Sequence, residues 1–477
     1  MVGTAAAAAA PHQRCLLLAL CVSLFGCDPA ASRHHRTRPF KPLPAGTQAW
    51  SPDAFGDTEG RVRMSRPRIF YKTVGPSAAV LSDCFESVHS SPISNEVSKI
   101  KGVRNYMPED LGEYYLALQM EQYPNKAASL EDAALVMINF LPTLSLAARD
   151  CLGKLNSTYR ERRDSVRDWV VENQAALKAI PTVYACTSWI CARHALDQNF
   201  TETMASVNAS IVINEAGPKF LPHWGPRDAV RHGSYFARHK VHAYVVPYSA
   251  HHNIPRPPPT VEKTIQFLYI GSLRRTPVRE KLCEVGAKEP DVVMHVHGWE
   301  KRESSCQNRT TAANAVANPF LGSNAYPKLT LAAKFCFVPL GDTPTSRRLF
   351  DAIIAGCLPI IISDDIDRSL PFSSAIPYND FAFRIPEARW VEDPFAEVQK
   401  LREVGAEEIK RRREMMAKYA PSLDWLAGTN VLSRLIDEVL QGNRKVIPNL
   451  ISCDASNPVG PFCQKMYPRR KKRGKSK

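Results

Sequence analysis

From Lys334 to Ser363 the chain reads as an apolar run (KFCFVP), a turn-forming loop (LGDTPTS), an amphipathic stretch stopped by Gly356, and a second apolar run (LPIIIS). A short run apolar on both faces is a strand of a parallel sheet, and the segment between two such runs returns over the sheet as a helix. The expected elements are a strand at Phe335–Pro339, a helix over Ser346–Ala355 with Gly356 as C-cap, and a fully buried strand at Leu358–Ser363. That order belongs to an α/β fold.

The same alternation runs along the rest of the chain. Ahead of it, Thr264–Ile270 (TIQFLYI) predicts a strand ending in the turn Gly271-Ser272, Pro277–Val285 a helix, Asp291–His297 a strand and Leu329–Lys334 a helical segment. Residues 393–441 read as largely helical. In the first half, Arg68–Tyr71, the apolar run Leu135–Leu141 ended by Pro142, Pro181–Cys186, Ala209–Asn214 and Tyr244–Pro247 read as strands, with Tyr114–Gln122 and Tyr159–Lys178 helical. Between the halves lies HHNIPRPPPT, whose three consecutive prolines make a stiff linker. The division is a leader at 1–27, a flexible, basic, proline-rich stem at 28–65, a first Rossmann-like domain at 66–250, a linker at 251–260, a second at 261–445, and a basic tail at 446–477. Two βα domains joined this way hold a ligand in the cleft beyond the carboxyl ends of their strands.

Charge and cysteine usage narrow the function classes. The chain carries +15, but Tyr467–Lys477 (YPRRKKRGKSK) supplies seven of those charges, leaving +8 on the rest (15 − 7). The tail reads as a solvated end, with contact to an acidic polymer or anionic membrane surface as the alternative, and with no stacking-aromatic motif the body gives no support for nucleic-acid binding. Residues 15–27 (CLLLALCVSLFGC) follow Arg14, the pattern of a secretory signal or a signal-anchor; at ~1.5 Å per residue the run is short of a ~30 Å hydrocarbon core, so both forms stay open. Leu24-Phe25-Gly26-Cys27 also has the form of a bacterial lipoprotein cleavage box. Sequons at Asn156, Asn199, Asn208 and Asn308 and ten cysteines beyond the apolar run fit an oxidising lumen, with Cys453 and Cys463 a plausible disulfide pair. Neither a Cys-x-x-Cys pair nor an HExxH string occurs, so a structural zinc site or a zinc protease has no support.

The chemistry concentrates where the strand at Phe335–Pro339 gives way to a helix. A helix start has free N–H groups and partial positive charge, and a phosphate oxygen fits there. Ser346 can donate its hydroxyl, Arg348 offers a planar fork of donors, and Asp351 is a carboxylate suited to sugar hydroxyls; together these residue types would hold a nucleoside diphosphate. Each also has a plainer role: Ser346 or Thr345 as N-cap, Arg348 and Asp351 as a surface ion pair. A second basic cluster, Arg274, Arg275 and Arg279, follows the strand Thr264–Ile270.

The stretch Lys334–Glu387 strongly resembles the exostosin-like glycosyltransferases, glycosyltransferase family 47. It carries the Lys-Phe-Cys strand, the Gly-Asp-Thr-Pro-x-Ser loop, Arg-Leu-Phe-Asp-Ala, Gly-Cys-x-Pro, an isoleucine-rich strand ending in Ser-Asp, and Leu-Pro-Phe, in the form of the plant and algal cell-wall branch. Phe267–Arg279 and Glu131–Pro142 resemble earlier family segments. The resemblance implies a GT-B fold with two Rossmann-like βα domains facing a cleft, an inverting mechanism, no metal ion, and no cofactor beyond a nucleotide-sugar substrate. It places the donor diphosphate on Ser346 and the Arg274/Arg279 pair, charge neutralisation on Arg348, and the ribose on Asp351.

An inverting transfer also needs a base from the first domain. Relatives carry Gly-Gly-x-Asp-His there; this chain has Lys178–His194 and Asp197 instead. Glu215 is the choice for the base, with His194 and Asp197 as rivals. The expected protein is a Golgi single-pass, type II, lumenal transferase (or a secreted one) moving a sugar from a UDP-sugar to a polysaccharide or glycoprotein glycan. The expected partners are the donor, a glycan acceptor, the Golgi membrane and a possible partner glycosyltransferase, with no nucleic acid. The alternative is a non-catalytic subunit of a glycosyltransferase complex.

Overall fold

The computed structural model describes residues 66–75, 80, 112–143, 145, 157–187, 197–214, 241–251, 254–256, 258, 262–271, 276–296, 325–341 and 344–447. The leader, stem and basic tail, and with them the Cys453–Cys463 pair, lie outside these residues, as do His194, Glu215, Arg274 and Arg275.

Two sheets organise the chain. The first has, in spatial order, β1 (Ile69–Lys72), β2 (Leu135–Ile138), β3 (Thr182–Ala185), β4 (Ser210–Ile213), β5 (Val241–Val245) and β11 (Lys445–Ile447), and the second β10 (Phe383–Arg384), β9 (Leu358–Ile362), β8 (Ala333–Pro339), β6 (Ile265–Gly271) and β7 (Val292–Val296). In the first, β1 to β5 run parallel. Helices α1 (Gly112–Glu121), α2 (Tyr159–Glu172), α3 (Gln174–Ala179) and α4 (Gln198–Ser206) connect them. β2, β3 and β4 are buried at every position, as expected for strands covered on both faces.

The second sheet is parallel throughout. Its helices are α5 (Pro277–Lys288), α6 (Ala325–Ala332), α7 (Arg347–Ile354), α8 (Glu387–Glu392), α9 (Pro394–Arg402), α10 (Ala406–Tyr419) and α11 (Asn430–Leu440). The strand–loop–helix–strand unit read from Lys334–Ser363 is present, and Gly356 takes the positive φ of 70° expected of a C-cap. A disulfide joins Cys336 in β8 to Cys357 just before β9, and Cys186 and Cys283 are disulfide-bonded as well.

Several boundaries differ from the sequence reading: the segment read as helical at Leu329–Lys334 is the helix Ala325–Ala332 with Ala333 and Lys334 already in β8, and the helix read at Pro277–Val285 runs on to Lys288. Three further differences have a visible cause. β2 stops at Ile138 rather than Leu141, because Asn139 accepts the Leu141 N–H through Oδ1 at 2.9 Å and Leu141 takes φ 54°. The helix predicted over Tyr159–Lys178 is two helices: Asn173 turns its side-chain amide back onto the Trp169 carbonyl at 2.8 Å and ends the first. The third concerns the domain limit at 445. Strand β11 (Lys445–Ile447) crosses back to pair antiparallel with β5 of the first sheet, Lys445 opposite Ala243.

That crossing is well anchored. Trp425 donates its indole N–H to the Pro247 carbonyl at 2.8 Å and stacks on Tyr115, centroids 6.4 Å apart. Gln119 of α1 donates to the carbonyls of Trp425 at 3.1 Å and Gly428 at 2.7 Å, and accepts the Leu432 N–H at 3.2 Å. One hydrophobic core runs through both lobes, from Leu135 and Val212 to Phe350 and Leu432. The linker is pinned too: Arg256 pairs with the buried Asp424 and donates to the Ile254 carbonyl.

Glu438, near the end of α11 and 8% exposed, accepts the Ser374 hydroxyl from the second lobe. Burial raises its pKa, opposed by Ser374, Lys445 and Arg434. A carboxyl whose folded pKa lies above its unfolded one favours folding at low pH and loses that contribution as pH rises through the raised value. Glu438→Gln is therefore expected to be more stable than the parent protein at pH 7, with the advantage shrinking towards pH 4. Urea unfolding at both pH values measures this.

Candidate functional site

At the carboxyl ends of β6, β8 and β9 several polar side chains converge. α7 begins after a tight passage out of β8, with Ser346 as its N-cap residue in extended conformation. A serine there normally accepts an N–H from the first turn. Ser346 makes no such bond, and its Oγ is buried without a hydrogen-bond partner among the described residues. The same holds for the Oγ of Ser363, the residue that follows β9. A buried hydroxyl left unpaired costs about 1–3 kcal/mol, and two of them lie at the mouth of one sheet.

Arg348, in the first turn of α7, reaches across to β6. Its Nε donates to the Ile270 carbonyl at 2.5 Å, and its guanidinium lies over the Tyr269 ring, 5.3 Å from the centroid. Among the described residues no carboxylate pairs with it. This approach depends on Gly271. A Cβ built there would fall 1.8 Å from Arg348 Nη2 and 2.4 Å from its Cζ, which no side chain could tolerate in place. The strand end is thus bare where the guanidinium crosses it.

Arg279 enters the same region from the first turn of α5. It is 3% exposed, and its Nε and Nη2 donate to the Leu340 carbonyl at 3.1 and 2.8 Å. Two of its donors therefore fix the exit of β8. It brings positive charge to the strand ends while holding the loop that leads to Ser346.

Asp351 corrects an expectation. Its side chain is fully buried, and protein donors occupy both oxygens: the His251 backbone N–H on Oδ1 at 2.7 Å, and the Tyr326 hydroxyl (2.6 Å) and Arg347 Nε (3.1 Å) on Oδ2. Its ion partner is Arg347, one turn back on the helix, and not Arg348. A carboxylate so engaged ties the start of the linker to the second lobe, and its side chain lies inside the fold rather than facing outward. Burial, followed by the charge of Asp351, pushes the Tyr326 hydroxyl well above the usual tyrosine range, so it stays a donor.

On the first lobe, Asp197 caps α4 by accepting the Phe200 N–H at 2.9 Å and pairs with Arg163 at 2.8 Å. Both contacts give Asp197 a part in holding the start of α4. Of the residues expected to bind the donor, the structure brings Arg279, Ser346 and Arg348 to one end of one sheet and turns Asp351 inward. Ser363 and Gly271 belong to this site although the sequence reading gave them no role in it. The Ser-Asp that closes the apolar run and the Gly that ends Thr264–Ile270 were the available signals.

Residues 182–400 match the Exostosin GT47 domain family, in agreement with the resemblance read from the motifs. Among curated proteins, the chain is 34% identical over 176 residues to probable arabinosyltransferase ARAD1 of Arabidopsis thaliana, which is 36% of this chain and 34% of that one. It is 51% identical over 55 residues to probable glucuronosyltransferase GUT1 of Oryza sativa subsp. japonica, covering 12% of this chain and 13% of the relative. The figures are the same for probable beta-1,4-xylosyltransferase IRX10L of Arabidopsis thaliana. The chain thus spans 34% of the length of the first of these relatives and 13% of the other two. Among solved structures, Anabaena Alr3699/HepE in complex with UDP aligns with a TM-score of 0.33 at 9% identity, over 78% of this chain and 100% of that one. S. aureus MnaA with UDP aligns with 0.34 at 9%, over 78% and 97%. At such scores the superpositions add nothing to the strand order described above.

Proposed function

From a chain whose residues 182–400 form an exostosin GT47 domain, we propose an inverting glycosyltransferase that moves a sugar from a UDP-sugar to a polysaccharide or glycoprotein glycan in the Golgi lumen. The observation that carries this reading is the Arg348 guanidinium, fixed over Tyr269 at the strand mouth with no acidic partner among the described residues. In the transfer, an acceptor oxygen attacks the anomeric carbon from the face opposite the diphosphate. The bond from that carbon to the phosphate oxygen breaks, and its electron pair leaves with UDP. Negative charge grows on the diphosphate as the bond opens, and a cation already oriented there lowers the barrier without having to reorganise. Arg348 supplies that cation, Ser346 Oγ a hydroxyl donor, and Arg279 and Arg274 further positive charge. No metal ion is needed in this reading.

The acceptor proton goes to a base on the first lobe. Glu215 holds that role here; it follows Asn214, the residue just beyond β4. Two observations support the lumenal location. The disulfides at Cys336–Cys357, Cys186 and Cys283 suit an oxidising compartment. The sequon asparagines Asn199 and Asn208 are exposed, open to glycan attachment. Anchoring rests on the apolar run at 15–27; among the described residues no helix is long and apolar enough to cross a membrane.

The names of the relatives suggest the donors to try first. Purified full chain given UDP-arabinose, UDP-xylose or UDP-glucuronic acid with matching oligosaccharides should release UDP from one of them at an undiminished rate in EDTA. A chain that binds UDP yet turns over no donor would instead be the non-catalytic subunit of a glycosyltransferase complex.

A further inference from the structure

Helix α4 ends at Val207, its C-cap residue, and the chain then turns sharply into β4. The Asn208 N–H donates to the Ala205 carbonyl at 2.9 Å and the Ala209 N–H to the Met204 carbonyl at 3.0 Å, while Asn208 takes φ 55°. Those two bonds close a helix in the Schellman arrangement, whose left-handed residue is usually glycine and sometimes asparagine. The Asn208 side chain is exposed, and its amide makes no hydrogen bond among the described residues.

Two residues on, Ser210 opens β4 and is 4% exposed, ahead of Ile211, Val212 and Ile213. The turn accounts for an asparagine at 208. The strand does not account for a serine at 210, where an apolar residue would serve as it does at the next three positions. Together they spell Asn208-Ala209-Ser210, the acceptor triplet for an N-linked glycan. The triplet at Asn199 is less separable from the fold, because its Thr201 is buried and donates to the Asp197 carbonyl at 2.6 Å.

The topology says where Asn208 stands. β3 and β4 are parallel, so α4 starts beyond the carboxyl end of β3 and finishes at the amino end of β4. Asn208 therefore lies at the amino ends of the first sheet. Arg279, Ser346 and Arg348 gather at the carboxyl ends of the second, and the cleft between two such lobes lies beyond the carboxyl ends of both.

We propose that Asn208 carries an N-linked glycan. The inference rests on the lumenal reading and adds to it a covalent site and an orientation. In the attachment, Asn208 Nδ2 bonds to the anomeric carbon of an oligosaccharide carried on a lipid diphosphate. The bond from that carbon to the phosphate oxygen breaks, its electron pair leaves with the lipid diphosphate, and the displaced amide proton passes to solvent. The glycan is bulky and hydrated. It covers the amino-end face around β4, so a membrane surface or a partner subunit meets the protein elsewhere.

The test uses the full chain produced in a eukaryotic secretory host. A peptide N-glycosidase acting in heavy-oxygen water turns each glycosylated asparagine into a mass-labelled aspartate, and cleavage after Glu202 separates Asn208 from Asn199. The Asn208 peptide should carry the label in most molecules. Two variants remove the triplet by different routes: Asn208→Gly keeps the left-handed turn, and Ser210→Ala keeps the asparagine. Each should abolish the label at 208 and lower the intact mass by one glycan, with UDP binding at the parent level. Unlabelled Asn208 in protein whose Cys336–Cys357 disulfide is formed overturns the proposal, as does a label at 208 that persists in Ser210→Ala. Reduced Cys336 and Cys357 with no triplet labelled would instead strike the lumenal reading and this inference with it, which keeps the two failures apart.

Discussion

Arg348→Ala should lose UDP by roughly 10- to 150-fold in a calorimetric titration, the equivalent of a charge-assisted hydrogen bond of about 1.5–3 kcal/mol. Transfer should fall further, by about 10²–10³, because the guanidinium meets more charge in the transition state than in the bound donor. The fold should survive. Arg348 is half-buried, hydrogen-bonds the Ile270 carbonyl, and pairs with no acid among the described residues. Its removal therefore leaves no buried charge without a partner. Arg348→Lys should not restore the activity, since an ammonium cannot bond Ile270 and a phosphate together in the geometry of a planar fork. UDP binding at the parent level in Arg348→Ala would remove the central cation from the proposed site.

Gly271→Ala should produce nearly the same loss from the opposite direction. A methyl group at 271 cannot coexist with a guanidinium whose Nη2 is 1.8 Å away, so the arginine must leave its place over Tyr269. The charge remains in the protein but no longer at the mouth of β6. Because both substitutions remove one interaction, the double variant should lose little beyond either single one, whereas independent effects would add. The strand itself should tolerate alanine: Gly271 is not among the positive-φ glycines. A Gly271→Ala protein that binds UDP normally would show that the arginine works from another position.

Much of this site was legible from residue order. Apolar runs bounded by Gly and Pro mark strands because both faces of a parallel sheet are covered, and the second lobe follows that pattern closely, from Ile265–Gly271 to Leu358–Ile362. The loop-to-helix passage at Ser346 was legible for the same reason: a strand end followed by a helix start is local information. The individual roles were less so. Spacing alone permits Arg348 to pair with Asp351, three residues on, yet Arg347 takes that acid and Arg348 turns to β6, seventy-eight residues back in the chain. Whether Asp351 faces ligand or linker depends on Tyr326 and His251, neither of which is near it in sequence.

What the sequence determined by itself is the pair of parallel α/β lobes and the end of the second sheet where polar residues gather, since each depends on apolar periodicity and on residues adjacent along the chain. The tertiary structure alone decided which side chains remain available. Hydrogen-bonding capacity is finite, and partners brought from distant strands engage Asp351, Asp197 and two donors of Arg279, while Ser346, Ser363, Thr143 and Asn214 each keep a buried oxygen unpaired among the described residues. It also decided that β11 crosses back to the first sheet, where its backbone satisfies the edge of β5.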